Sequence, residues 1–160
     1  QDTKNPIVVS ASWDKTIKVW DNQTMKLKHT FVGHKAQVNA LDMAPKTSYL
    51  ASGGKDGLAI IWNLVDGKYL GQTEVDCPIN CVAFAPKKYW LVLGTEKGIK
   101  VWDLPSKEFV CDIQATPIDE EHKNRKTDIA CTSLAWNKNG NLLFAGFSDN
   151  YIRVYKIVAT

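Results

Sequence analysis

The chain has 160 residues, 44% of them hydrophobic, with 20 Lys and Arg against 17 Asp and Glu for a formal net charge of +3. That is one ordinary domain's length with enough apolar content for a core, which excludes a disordered chain. The apolar runs, such as IVVSAS and WLVLG, fall far short of the roughly 20 residues a membrane-spanning helix requires, and the basic residues are scattered, so charge names no nucleic-acid site.

The start at Gln1 shows no basic region followed by an apolar stretch, so no secretory signal is read there, and it looks like a boundary inside a longer protein. The first strong element is TIKVWD, Thr16 to Asp21. It returns as AIIWN at Ala59 to Asn63, as GIKVWD at Gly98 to Asp103, and as YIRVYK from Tyr151, where Tyr155 takes the tryptophan's place. Trp20, Trp62 and Trp102 lie 42 and then 40 residues apart. Around each copy, runs of β-branched, aromatic and aliphatic residues alternate with turn signals: VNALDM, YLASGG, LAIIWN and KYLGQT, then INCVAF, YWLVLG, GIKVWD and KEFVCDI. These read as strands in a fixed order, many with neighbouring apolar residues, which predicts sheets covered on both faces. No helical period is sustained anywhere. The stretch DEEHKNRKTD, within a proposed insertion at 114–130, has charges that nearly cancel and reads as a solvated loop that trypsin should cut first.

A repeat of roughly 40 to 45 residues with four strands, Gly-His early and Trp-Asp late, matches the WD-repeat blade of a β-propeller. The expected fold is all-β, about three and a half four-stranded blades of a propeller, with fourteen strands in all. The division is a partial blade at 1–31, full blades at 32–73 and 74–113, the insertion, and a last blade at 131–160 that lacks its outer strand. A piece of this size leaves the flat faces of its terminal blades open, so it should pair with a second copy or need further blades to be stable.

Within the second unit, His34, Ser52, Asp56 and Trp62 occur in an order that suits a hydrogen-bonded tetrad. The Trp62 indole donates to the Ser52 hydroxyl, the hydroxyl to His34, and His34 to Asp56. The competing reading is a nucleophilic Ser-His-acid triad built on Ser52. LASGGKD is not a G-x-S-x-G elbow and places Ser52 inside a strand, which favours the structural reading. The first unit has a partial tetrad in Ser10, Asp14 and Trp20, whereas Val92 and Ala145 replace the serine later. The four cysteines and three histidines are not grouped as metal ligands, so the cysteines read as buried, reduced thiols in a cytoplasmic protein. Neither a metal nor another cofactor is expected.

The pieces SASWDKTIKVW, LASGGKDG, FAPKKYWLVLGTEKGIKVWDL and TSLAWNKNGNLLFAGFSDNYIRVYKI resemble the receptor for activated C kinase, a family of seven-bladed WD-repeat scaffolds similar to G-protein β subunits. The resemblance runs from about Asn5 to the end and implies the C-terminal half, starting in the fourth blade. It implies a non-enzymatic platform on the cytosolic small ribosomal subunit that also holds kinases such as protein kinase C. The family's basic ribosome-anchoring residues belong chiefly to blades this chain lacks. Its kinase-contact segment corresponds to Ile99, Lys100, Val101, Trp102, Asp103 and Leu104, with Gly98 in place of a serine and Pro105 following. Most of that segment is also expected to be strand core. Trp13 and Lys55 each precede a turn aspartate and are candidates for a partner-binding face, and Tyr89, beside Lys87 and Lys88, is a candidate phosphorylation or docking residue. The alternative to this family is a WD-repeat subunit of another assembly.

Overall fold

The computed structural model describes residues 6–118 and 128–158. Much of the charged stretch at 119–127 therefore lies outside the described residues. Fourteen strands are described, in four antiparallel sheets. The first sheet holds β1 (Ile7–Ala11), β2 (Thr16–Asp21) and β3 (Leu27–Val32). The second is β4 (Val38–Met43), β5 (Tyr49–Gly54), β6 (Leu58–Asn63) and β7 (Lys68–Glu74), and the third is β8 (Ile79–Phe84), β9 (Trp90–Thr95), β10 (Gly98–Asp103) and β11 (Glu108–Ile113). The fourth holds β12 (Cys131–Trp136), β13 (Leu142–Phe147) and β14 (Ile152–Lys156). Each sheet is a meander in chain order, as short hairpin turns demand. Among the described residues no helix is long and apolar enough to cross a membrane.

The sheets repeat their irregularities as well as their strands. Pairing slips between Val19 and Trp20, Ile61 and Trp62, and Val101 and Trp102, one slip at each repeat tryptophan. A second series falls at the start of β4, β8 and β12, between Val38 and Ala40, Ile79 and Cys81, and Cys131 and Ser133. A bulge adds local twist, so the same twist is written into the same two places of successive sheets.

Neighbouring sheets pack face to face. Ile17, Val19 and Phe31 of the first meet Leu50, Leu58, Ile60 and Trp62 of the second. Ala51, Ala59 and Ile61 meet Ile79, Val82, Leu91, Leu93 and Trp102 of the third. Val92, Ile99 and Val101 meet Cys131, Leu143, Ala145 and Phe147 of the fourth. Successive side chains of β6 and β9 thus serve opposite joints, which explains their continuous apolar runs. Trp62 and Trp102 each face the preceding sheet, and Trp62 stacks on Phe31 with ring centroids 4.8 Å apart.

Two side chains bridge the joints by hydrogen bonds. Asn39 Nδ2 donates to the Ile79 carbonyl at 2.9 Å, and Asn80 Nδ2 donates to the Cys131 carbonyl at 3.1 Å. The outermost faces have no such neighbour among the described residues. Ile152 and Val154 repeat the positions of Ile17 and Val19, which are 0% exposed, yet they are 74% and 53% exposed. At the other end Val8, Leu27 and the half-buried Trp20 lie on the open side of the first sheet.

Candidate functional site

The tetrad residues come together where the loop after β3 crosses the turn between β5 and β6. Trp62 Nε1 donates to Ser52 Oγ at 2.9 Å, and Ser52 Oγ lies 2.8 Å from His34 Nε2. His34 Nδ1 lies 3.1 Å from both Asp56 carboxylate oxygens. A carboxylate only accepts, so Nδ1 carries the proton and Nε2 accepts from the hydroxyl. Asp56 also accepts from the Lys35 and Leu58 amides, at 2.7 and 3.1 Å, and so ties the loop to the turn. Gly54 belongs to the same cluster. A Cβ there would stand 2.5 Å from Asp56 Oδ1 and 2.6 Å from His34 Nδ1, so a side chain would pry the pair apart.

Burial pushes the Asp56 carboxyl up, but the amide donors and His34 outweigh it and hold the group below the usual aspartate value of 3.8. A carboxylate with a lowered folded pKa contributes stability that is complete above the unfolded value and drains away as pH falls below it. Urea midpoints should therefore drop as pH is lowered through and below 3.8, and less steeply in Asp56→Asn. Parallel pH profiles for the two proteins would contradict this assignment.

The order Ser, His, Asp is that of a nucleophilic triad, but Ser52 is 0% exposed in mid-strand. Its hydroxyl is already engaged by Trp62 and His34, and no substrate carbonyl reaches it in this conformation. In the first sheet Trp20 Nε1 donates to Ser10 Oγ at 3.0 Å, while Asp14 is turned to the Thr16 amide and hydroxyl and joins no histidine among the described residues. In the third sheet Trp102 is 3% exposed and its indole nitrogen has no hydrogen-bond partner among the described residues. In the fourth, Asp149 is buried and paired with Arg153 at 2.6 Å, whose guanidinium also covers the Phe147 ring. Sequence reasoning missed that pair, although Arg153 stands where β2 and β10 carry lysines.

The kinase-contact candidates Ile99 to Asp103 lie on β10, hydrogen-bonded to β9 on one side and β11 on the other, and Leu104 follows it in the turn. Ile99, Val101 and Trp102 point into the joints. Lys100 pairs with Asp112, Asp103 accepts from the Ser106 amide and the Trp90 indole, and Leu104 packs against the core at its edge. Trp13 is 78% exposed in the β1–β2 turn, and Lys55 is exposed at the matching place between β5 and β6. Tyr89 is likewise 78% exposed before β9; its ring does not pack against the sheet. The expectation of uniformly buried thiols needs correcting. Cys111 is exposed, because β11 is the outer strand of its sheet and nearly all of it meets solvent, and Cys81, on β8, is half-buried. Among the described residues no group of three or more His, Cys, Asp or Glu is placed to hold a metal.

Comparisons with known proteins agree with this architecture. The profile described as WD domain, G-beta repeat matches residues 2–21 and 25–63, and that of the anaphase-promoting complex subunit 4 WD40 domain matches residues 83–160. The chain is similar to the cross-pathway control WD-repeat protein 2 of Flammulina velutipes, 37% identical over 158 residues, which are 99% of this chain and 50% of that protein. It is also similar to the small ribosomal subunit protein RACK1 of Caenorhabditis elegans, 40% identical over 154 residues, 96% of this chain and 47% of the relative. The chain thus spans about half the length of the curated relatives it matches. Its repeated strands, its tryptophan-centred joints and these matches point the same way: the chain belongs to the WD-repeat family of β-propeller proteins.

Proposed function

We propose that this chain forms part of a non-enzymatic protein-interaction scaffold of the receptor for activated C kinase type. It serves a cytoplasmic protein that associates with the small ribosomal subunit and presents signalling kinases such as protein kinase C. The observation that carries this reading is the contrast between two residues. The Ser-His-Asp constellation of the second unit is sealed, with Ser52 at 0% exposure, whereas Trp13 stands 78% exposed on a hairpin turn. A large aromatic held out on a rigid turn suits anchoring a partner protein, as interface hot spots do. Lys55 occupies the corresponding turn of the next sheet and extends the same face. Of the segment from Ile99 to Leu104, Lys100, Asp103 and Leu104 are available to a kinase without opening the sheet. Tyr89, exposed beside Lys87 and Lys88, is the modification or docking residue on the opposite edge.

The test measures binding of purified small ribosomal subunits and of a protein kinase C to immobilised protein, in the full chain and in Trp13→Ala and Lys55→Glu. Weakened binding of at least one ligand by the variants is expected; unchanged affinity for both removes Trp13 and Lys55 from the interface. A fluorophosphonate probe should leave Ser52 unlabelled in the folded protein, and stoichiometric labelling would revive the hydrolase.

The open terminal faces lead to a further expectation for the isolated chain. With Ile152 and Val154 exposed at one end and Trp20 half-exposed at the other, it should self-associate through these faces. Sedimentation should show species heavier than 17.9 kDa at micromolar concentration, and a compact monomer that unfolds cooperatively would refute this.

A further inference from the structure

Two thiols meet at the joint between the third and fourth sheets. Cys81 lies on β8 opposite Gly94 of β9, and Cys131 opens β12 on the next sheet. A Cβ built on Gly94 would stand 2.9 Å from Cys131 Sγ and closer still to Cys81 Sγ, so one point touches both sulfurs. The backbones are clamped here as well, by the bond from Asn80 to the Cys131 carbonyl. The preceding joint shows what ordinarily fills this place. There Ala40 is paired with Gly53, Asn39 bonds the Ile79 carbonyl, and Ile79 lies against Gly53. An alanine and an isoleucine at one joint have become two cysteines at the next, in positions fixed by the same bulge and the same asparagine.

We propose that Cys81 and Cys131 form an oxidation site, a disulfide that latches the third sheet to the fourth. The thiols are free and unequal. The hydrogen bond with Cys131 and burial push the Cys81 thiol up, and the bond from Cys81 holds Cys131 below the usual thiol value, so Cys131 is the more nucleophilic sulfur. Cys131 is fully buried and Cys81 half-buried, so the oxidant must be small and uncharged, such as hydrogen peroxide, arriving past Cys81. The Cys131 thiolate attacks one peroxide oxygen, the O–O bond breaks, and the departing hydroxide takes the Cys81 proton to become water. The Cys81 sulfur then attacks the Cys131 sulfenic sulfur and expels hydroxide, which takes up the proton Cys131 had released. In sum, two thiols and one peroxide give one disulfide and two waters.

The experiment treats the full chain, carrying Cys111→Ser to remove the exposed thiol, with hydrogen peroxide. Remaining thiols are then alkylated under denaturing conditions and peptides mapped without reduction. The expected result is loss of two of the three remaining thiols, appearance of a peptide joining Cys81 to Cys131, and slower amide exchange in β12. Adding Cys81→Ser should abolish the linked peptide, and Cys77→Ser should leave it intact. A link from Cys77 to either sulfur, unchanged exchange in β12 after linkage, or three thiols still reduced at a peroxide dose that oxidises Cys111 in the unsubstituted chain would each overturn the proposal.

Discussion

Replacing Trp62 by phenylalanine is expected to lower stability by about 1–3 kcal/mol, through the hydrogen bond rather than through volume. The ring can still stack on Phe31, but Ser52 loses the indole donor and is left buried with only His34 and a long contact to the Ile60 carbonyl at 3.4 Å. The comparison variant is Trp102→Phe. Its indole nitrogen is buried without a partner among the described residues, because Leu93, and not the Val92 expected from the sequence, stands where Ser52 stands in the second sheet; Val92 faces the other joint. Removing that nitrogen relieves an unsatisfied donor, so the two costs should differ in favour of Trp102→Phe. Urea midpoints of the two variants, measured side by side, decide it, and equal shifts would show that the tetrad contributes nothing beyond packing.

The second large effect should come from Gly53→Ala. A Cβ at Gly53 would stand 2.6 Å from Ile79 Cγ2 and 2.8 Å from Val82 Cγ1, both on the facing strand of the next sheet and both buried. Branched side chains in a packed joint cannot swing away as a lysine tip would, so the sheets must separate, at a cost of about 1–3 kcal/mol. Gly71→Ala on β7 supplies the control. Nothing lies within 4 Å of the place its methyl group would take, and the substitution should be neutral or stabilising by about 0.4–1 kcal/mol through the unfolded chain. Similar destabilisation by both would mean that strand propensity, not the joint, governs the result.

The strands were legible because their signal is local and repeated. Runs such as LAIIWN and GIKVWD need only their own residues to be read, and the tryptophan spacing places them in sheets. The tetrad was legible for the same reason, since its residue types fall at fixed places within one unit. What escaped depends on how one sheet meets the next. Gly54 looks like any turn glycine until His34 and Asp56 are seen against it. Asn39 and Asn80 sit at matching places in VNALDM and INCVAF, a visible match whose meaning, a bond to the following sheet, lies across the joint. Asp14 illustrates the converse. It matches Asp56 in the repeat, but no histidine is described beside it, so it serves only its own turn.

The asparagine clamps carry a consequence for closure. The same side chain makes the same bond at two successive joints, beside the same bulge and the same small residue. The angle between one sheet and the next is therefore held by contacts local to each joint, the asparagine bond and the apolar packing beside it, and no residue needs to sense the others around the circle. How many sheets complete a turn is then arithmetic performed locally and repeatedly. A change of angle at one clamp, Asn39 or Asn80, would turn every sheet beyond that joint by the same amount, which gives one asparagine leverage far from its own position.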